Sequence, residues 1–328
     1  MKLGTTLYSL TPEFHARRYD VFELIEEVGR RGLGPGLEIV GFQSIRGFPL
    51  VSQEFERRFK DVTEQYGLQP SCLGANVDLG RRIGELMDED EIVEYMEPQL
   101  RAAATLGFPV VRMQFGATPT VIERLVPTAE QLGVCMGMEI HSPHTVDHPV
   151  MMALRELYDR LDSPAVGFVP DFGASVERQP PLLFEAIERA GVPEEATSTM
   201  VELWKAPGDP FQRRLALVDR LADLGVSSDH ATLLGKGFGL FGRQDPSAWA
   251  EIGQWIVHVH GKFFEIDENG DEPAVPYPEL IAVLSKIGYD GFISSEWEGW
   301  HWIEGRDGFV LLEQHHALLR RLLAQTTA

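Results

Sequence analysis

The sequence predicts a (β/α)8 barrel, or TIM barrel, with a long helical and glycine-rich insertion after its sixth strand. Two observations predict this fold class. Eight apolar runs typical of buried strands alternate with amphipathic helical segments along the chain. Eight strand–helix units are also the number that closes a barrel of about 250 residues. The chain has 328 residues, so we expect one domain over 1–328 with the surplus in an insertion at 174–254.

The expected strands are short runs of apolar residues. In chain order they are 3–10, 36–42, 70–78, 109–116, 134–142, 165–173, 255–264 and 291–297. Strands that alternate with helices at this spacing pair in parallel through crossover helices. A doubly wound open sheet is the rival fold, but it needs a glycine-rich cofactor loop after the first strand, and LYSLTPEFHARR has no glycine there.

The expected helices repeat large apolar residues at steps of three and four, and several end at glycine. They are VFELIEEVGRRG, EFERRFKDVTEQYG, EIVEYMEPQLRAAATLG, TVIERLVPTAEQLG, PVMMALRELYDRL, PELIAVLSKIG and FVLLEQHHALLRRLLA.

The insertion contains two further helical pieces, PPLLFEAIERAG and PFQRRLALVDRLADLG, and the glycine-rich stretch LLGKGFGLFG. We interpret it as an elaborated connection over the active face, acting as a lid. Residues 237–242 satisfy the pattern G-x-G-x-x-G, but this pattern indicates a dinucleotide site only between a strand and the helix that follows it. A flexible loop that covers substrate is the better interpretation.

The charge and cysteine content exclude several classes of function. Fifty acidic residues against 29 Lys and Arg give a net charge of −21, which repels phosphate backbones and anionic membranes. The sequence shows no signal peptide and no apolar stretch of membrane-spanning length. Its two cysteines, Cys72 and Cys135, favour a reducing compartment. We expect a cytoplasmic protein that binds neither nucleic acid nor membrane.

The ends of the last four strands carry the residues best suited to chemistry. Reactive groups of such barrels lie at the carboxyl ends of the strands, which here carry Glu139 with His141, Asp171, His258 with His260 and Lys262, and Glu296 with Glu298. Buried acids that lie close together need a counter-charge. A divalent cation supplies it, and oxygen-rich ligation with one imidazole suits Mn²⁺ or Mg²⁺. Salt bridges to barrel lysines or arginines are the alternative for each acid.

The order Glu, Asp, His, Glu on these strands resembles the xylose-isomerase-like barrel superfamily of sugar isomerases, epimerases and dehydratases. The segment YDGFISSEWE is similar to the superfamily's closing motif, and HVHGK to its penultimate strand. The resemblance covers nearly the whole chain outside 174–254 and implies a single metal held by Glu139, Asp171, His260 and Glu296. The chain departs from the pattern at Ala174, where many members have a substrate-binding histidine, and in the 89 residues from the Asp to the next ligand.

Within this superfamily, the insertion and the motifs PDFG and EIHSPHT look most like the α subunits of bacterial C-glycoside deglycosidases. This resemblance implies a lyase that cleaves the carbon–carbon glycosidic bond of a 3-oxo-C-glucoside. A base removes the proton next to the ketone, the metal stabilises the enediolate, and elimination releases the aromatic part. It also implies a small β-sandwich subunit as partner in a hetero-oligomer.

Three residues are candidates for the catalytic base or for charge stabilisation. His144 follows strand five on a loop that begins Ser-Pro, and its side chain normally titrates near working pH. His141 could serve instead or contact substrate hydroxyls. Lys262 could stabilise an enolate, or form a salt bridge at the rim. His258 is expected one layer deeper in the barrel.

Candidate substrate contacts lie on the rim. Trp297 and Trp300 offer flat apolar faces for a sugar or an aromatic ring, and Gln114 and Asn76, with Arg112 and Asp78 beside them, offer groups for hydroxyls. Glu298 could hydrogen-bond to a ligand of the metal or pair with a basic residue. A structural role in packing is the alternative for each of these residues.

Three other functions remain open. One is a metal-dependent sugar isomerase or epimerase of the same fold. Another is an endonuclease for abasic sites, against which the net charge of −21 argues. The third is a non-catalytic sugar-binding subunit.

Overall fold

Eight parallel strands form the barrel in the computed structural model, which describes residues 1–77, 83–114 and 116–326. The strands are β1 Lys2–Thr6, β2 Gly36–Val40, β3 Gln69–Ala75, β4 Val110–Met113, β5 Cys135–Ile140, β6 Val166–Pro170, β7 Val259–Phe263 and β8 Phe292–Trp297. Hydrogen bonds join them in the order β6-β5-β4-β3-β2-β1-β8-β7. Isolated bridges between Phe168 and Ile256 and between Asp171 and His260 join the two ends of this order. The predicted barrel is confirmed.

Helices connect consecutive strands and cover the outside of the barrel. They are α1 Thr11–His15, α2 Val21–Arg30, α3 Gly41–Ser44, α4 Gln53–Tyr66, α5 Glu89–Leu106, α6 Pro119–Leu132, α7 Pro149–Leu161, α8 Pro181–Arg189, α9 Glu194–Lys205, α10 Pro210–Asp223, α11 Ser228–Gly239, α12 Tyr277–Lys286 and α13 Gly308–Thr326. None of the helices in the described ranges is long and apolar enough to cross a membrane.

Local sequence signals set the ends of these helices. Asp88 caps α5 by accepting a hydrogen bond from the backbone N–H of Glu91, whose side chain accepts one from the N–H of Asp88 in return. The same helix ends at Gly107, which has a φ of +80°, a conformation that glycine adopts without strain. The acidic run at 88–91 is therefore a helix start.

The first strand is shorter than the sequence predicts. The apolar run continues to Leu10, but the strand stops at Thr6 and a 3₁₀ helix, Leu7–Leu10, follows it. The Thr6 side chain accepts a hydrogen bond from the N–H of Tyr8, which turns the chain out of the sheet.

The connection from β6 to β7 is mainly helical. It holds α8 to α11, flanked by the 3₁₀ helices Phe172–Ala174 and Pro246–Trp255. The glycine-rich stretch, expected to be a loop, belongs to α11 as far as Gly239. Ser227 caps the start of that helix by accepting a hydrogen bond from the N–H of His230. The G-x-G-x-x-G pattern thus begins at the end of a helix and not after a strand.

The interior of the barrel has an apolar layer and a polar layer. Cys72, Val110 and Val169 form a small cluster of their own, with Cys135 and Val257 against it. A much larger apolar core lies between the sheet and the helices. Glu38, Arg112, Glu139, His260 and Lys262 are also buried inside the barrel. Polar groups in this position are costly unless they are paired, so this layer indicates a site.

Candidate metal centre and active site

Four side chains from four consecutive strands converge at the carboxyl end of the barrel. Glu139 lies near the end of β5, Asp171 directly follows β6, and His260 and Glu296 lie within β7 and β8. One candidate ligand atom from each lies within 4.8 Å of the other three, and all four residues are buried. Ligands on opposite sides of a divalent ion are about 4–4.5 Å apart, so this spacing fits a common ion.

The two ring nitrogens of His260 face different partners. Its Nδ1 lies 2.7 Å from Oε1 of Glu139 and 3.4 Å from Oε2 of Glu296. Its Nε2 lies 3.0 Å from Oε1 of Glu38. If Nε2–H donates to Glu38, the lone pair of Nδ1 points into the cluster, which is the tautomer that a metal ligand needs.

Glu38 is a site residue that the sequence analysis missed. It lies in β2, is fully buried, and also has its Oε2 3.0 Å from Nε2 of His258, which in turn lies 3.0 Å from Oγ of Ser294. His258 thus lies one layer deeper, as expected. The available signal was an acid inside the apolar strand GLEIV, where a charge needs a partner.

Lys262 lies inside the cluster and not at the rim. Its Nζ lies 2.5 Å from Oδ2 of Asp171, 3.3 Å from Oε2 of Glu298 and 3.6 Å from Oε2 of Glu296. Burial alone would lower the pKa of Lys262, but the carboxylates of Asp171, Glu298 and Glu296 raise it well above its usual value. The side chain therefore keeps its proton and acts as a cation and donor.

The two candidate histidines after β5 differ in their surroundings. His141 is buried, with Nδ1 2.6 Å from the carbonyl oxygen of Ser142 and Nε2 3.0 Å from Nζ of Lys262. Donation from Nδ1–H to the carbonyl leaves the Nε2 lone pair to accept from Lys262. His144 is half-buried, its backbone N–H donates to the carbonyl of His141, and its ring packs edge-on to that of His148. Burial and the neighbouring histidines lower the pKa of His144 to about 4, so it is neutral at neutral pH.

Polar residues on β4 and directly after β3 and β4 lie on another side of the cluster. Arg112 is buried, and its guanidinium lies 3.5 Å from Oε2 of Glu139 and 3.5 Å from Oδ1 of Asn76. Gln114 follows β4 and is half-buried. Asp78 lies outside the described residues. The structure thus brings Asn76 and Arg112 to the edge of the site.

The candidate residues at the end of β8 face opposite sides of the sheet, because side chains alternate along a strand. Glu298 faces the cluster through Lys262, whereas Trp297 is buried on the other face, where its Nε1–H donates to the carbonyl of Phe264. Trp297 is therefore a core residue and does not face the site, contrary to the expectation of a substrate contact. Trp300 is half-buried, stacks on His301 with ring centroids 3.9 Å apart, and packs edge-on against Tyr8.

Small residues make room for this crowded layer. A Cβ atom at Gly173 would lie 2.7 Å from Cδ of Lys262 and 3.1 Å from Oδ1 of Asp171. One at Gly74 would lie 3.0 Å from a terminal nitrogen of Arg112. Real Cβ atoms essentially never approach as closely as 2.7 Å, so glycine at 173 is part of the site.

The cluster has an excess of negative charge. When all five buried carboxylates are ionised and His260 is neutral, as metal binding requires, Glu38, Glu139, Asp171, Glu296 and Glu298 exceed the two permanent cations, Arg112 and Lys262, by three charges. Burial raises the pKa of Glu296 to about 8 despite its proximity to His260 and Lys262. Within the described residues, Oε2 of Glu139 and Oε2 of Glu296 are buried without a hydrogen-bond donor. A divalent cation would satisfy both oxygens and most of the charge.

Comparisons with known proteins agree with this geometry. A model of the xylose isomerase-like TIM barrel family matches residues 19–309. The 3'-dehydrocarminate deglycosidase alpha subunit of Microbacterium sp. is 46% identical, with 100% of this chain and 97% of that protein aligned. A C-glycoside deglycosidase alpha subunit of Arthrobacter globiformis is 44% identical, over 98% of this chain and 90% of its own length.

Solved structures show the same fold at low sequence identity. A crystal structure of the IOLI protein with a bound zinc atom superimposes with a TM-score of 0.60 and 13% identity, over 99% of both chains. The family match and the two relatives, taken with the barrel and its strand-end acids, confirm the resemblance seen in the sequence. The chain belongs to the xylose isomerase-like TIM barrel family and, within it, to the family of the C-glycoside deglycosidase alpha subunits.

Proposed function

We propose that this chain is the catalytic alpha subunit of a C-glycoside deglycosidase, a lyase that cleaves the carbon–carbon glycosidic bond of 3-oxo-C-glucosides. The observation that carries the proposal is the convergence of Glu139, Asp171, His260 and Glu296, buried and within 4.8 Å, at the end of the barrel where such enzymes react. The names of two relatives that align over nearly their full length support the reaction, and one of them names a 3'-dehydro glycoside.

We assign the four converging residues as ligands of one divalent ion, Mn²⁺ or Mg²⁺. Three carboxylates and one imidazole form the oxygen-rich set that these hard ions prefer, and no thiol lies in the set. When bound, the ion would polarise the oxygens of the sugar's ketone and its neighbouring hydroxyl.

The side chains around the proposed metal site would act as base, as hydrogen-bond donor and as positioning group. His144, neutral and half-buried beside His141, is the proposed base that removes the proton from the sugar carbon next to the ketone. Lys262 holds its proton and can donate a hydrogen bond to a sugar oxygen that gains negative charge. His141, whose Nε2 already accepts from Lys262, orients that ammonium.

The bond changes balance without an added reactant. The electron pair freed by proton removal forms a double bond to the anomeric carbon as the bond from that carbon to the aromatic ring breaks. The aromatic carbon takes up one proton, and the proton held by the base can supply it. The products are an unsaturated 3-oxo sugar and the free aromatic aglycone.

We also propose the assembly and location of the protein. The two relatives are named alpha subunits, and this supports a complex with a second chain, which we expect to be a small β-sandwich subunit. The free thiols of Cys72 and Cys135 are compatible with a reducing cytoplasm.

The test is aglycone release. The chain would be expressed together with its neighbouring genes, loaded with Mn²⁺ and incubated with a 3-oxo-C-glucoside in D₂O, and the products separated by chromatography. We expect the free aglycone to accumulate. Deuterium exchange or an epimerised sugar without aglycone would instead show an isomerase or epimerase, and full metal occupancy without any turnover would contradict an enzymatic role.

A further inference from the structure

A cavity of about 490 Å³ lies between the insertion and the rim of the barrel. Helix α10, helix α11 and the 3₁₀ helix Gly299–His301 supply its walls. Its described lining residues are Arg214, Val218, Ala231, Thr232, Gly235, Lys236, Gly239, Leu240 and His301. This volume lies in the range of sites for small organic ligands. We refer to this space, defined by those residues, as the insertion cavity.

The insertion cavity adjoins the proposed reaction centre on two sides. The carbonyl oxygen of Leu240 lies 3.3 Å from the position of a Cβ at Gly173, and the N–H of Gly173 donates to Oδ1 of Asp171. The N–H of His301 donates to the carbonyl of Glu298, whose side chain faces Lys262. Two walls of the cavity are therefore in contact with segments that carry residues of the cluster.

The walls combine apolar surface with positive charge. Val218, Ala231 and Leu240 offer apolar contacts, whereas Arg214 and Lys236 carry positive charge. Burial lowers the pKa of His301, which favours its neutral form. The described lining residues include no carboxylate, although the chain as a whole has a net charge of −21. Charge of one sign at the edge of an apolar cavity favours a ligand with an apolar body and an opposite charge.

Helix α11 leaves open space on its cavity side. A Cβ atom at Gly235 or Gly239 would meet no atom within 4 Å. The helix backbone is thus uncovered there, next to the exposed side chain of Lys236, and a flat ring can approach it closely.

We propose that the insertion cavity binds the aromatic aglycone and that Arg214 and Lys236 select aglycones with an ionised acidic substituent, such as a carboxylate. The identity of the ligand as an aglycone rests on the proposed function. The existence of the cavity, its charge and its contacts with segments of the reaction centre do not depend on the proposed function.

The test compares two probes of the same shape, 2,4-dihydroxybenzoate and its neutral amide, 2,4-dihydroxybenzamide. Binding to the metal-loaded complex would be measured by titration calorimetry for the parent and for the double variant Arg214→Gln/Lys236→Gln. Arg220→Gln is the matched control, because Arg220 lies on the same helix α10 but is not among the residues that line the cavity. Partly exposed charge pairs of this kind together give about a tenfold preference.

We expect the parent and the control to bind the benzoate about tenfold more tightly than the amide, and the double variant to bind both alike. Equal probe affinities in the parent, or a preference that survives in the double variant, would overturn the inference. So would a preference lost only with Asp171→Asn, since the carboxylate would then be binding the metal ion.

The two proposals fail separately. Aglycone release with no effect of the double variant on probe preference keeps the function and rejects the cavity assignment. A charge-dependent preference without release from any 3-oxo-C-glucoside keeps the cavity as a site for anionic aromatic ligands and rejects the proposed function.

Discussion

Replacing Glu38 by glutamine should weaken metal binding although Glu38 is not a proposed ligand. Its carboxylate is fully buried and lies 3.0 Å from Nε2 of both His258 and His260. A glutamine amide has one acceptor oxygen and one NH₂ group, so it must place a donor against one of two imidazole N–H groups. The tautomer of His260 that exposes the Nδ1 lone pair loses its support.

The magnitude follows from the contact that is lost. Substitutions of groups that orient a metal-bound histidine typically reduce metal affinity about 10- to 100-fold, or about 1.4–2.7 kcal/mol. The assay is a competitive Mn²⁺ titration against a fluorescent chelator, with circular dichroism to confirm folding.

The matched control is Glu13→Gln. Glu13 is also a buried glutamate, but it accepts from the N–H of Gly308 and from Arg18 and belongs to neither cluster of candidate metal ligands. It should leave Mn²⁺ affinity unchanged. A folded Glu38→Gln protein with the affinity of the parent would refute the reasoning that Glu38 sets the tautomer of His260.

Three further predictions concern single side chains. His144→Ala should retain its metal but slow deuterium exchange at the carbon next to the sugar ketone about 10²–10⁴-fold, followed by NMR; unchanged exchange would move proton abstraction to His141. Burial, with Arg320 nearby, lowers the pKa of His316 to about 4. Between pH 4 and 6.5 the unfolded chain therefore holds about one more proton at this histidine than the folded protein does, so the free energy of unfolding falls on acidification. His316→Gln should reduce the slope of the unfolding free energy against pH by about one proton. An unchanged slope would contradict this. Gly173→Ala should lower both Mn²⁺ affinity and Tm, because the added Cβ would meet Lys262 and Asp171. Gly235→Ala, at a helical position with open space around the added Cβ, should raise the free energy of unfolding by about 0.5–1 kcal/mol. Equal changes of Tm in the two variants would contradict this.

The architecture could be predicted from the sequence because its signals are local. Alternating apolar runs and amphipathic segments locate all eight strands, and the capping residues of α5 are visible in the acidic run at 88–91. The glycine-rich end of α11 differs from the expected loop: the helix begins after the Ser227 cap and continues through Gly235 and Gly237 to Gly239.

The site could be predicted only where strand ends present titratable groups. Glu139, Asp171, His260 and Glu296 lie at equivalent heights on the last four strands, so their convergence follows from the barrel. Glu38 lies within β2 and not at its end, so the strand-end pattern does not point to it.

The alternation of side chains along β8 explains why Trp297 does not face the site. With Glu296 and Glu298 facing inward, Trp297 between them must face outward, as the structure shows. The burial of Lys262 could not be predicted from the sequence, because it depends on the strand pairing that places this residue opposite Glu296 across β7 and β8.

The most direct measurement is anomalous X-ray diffraction from crystals of the Mn²⁺-loaded protein. We expect one strong peak about 2.0–2.3 Å from a carboxylate oxygen of each of Glu139, Asp171 and Glu296 and from Nδ1 of His260. A peak between Glu38, His258 and His260 instead, or no peak within the barrel at saturating Mn²⁺, would contradict it.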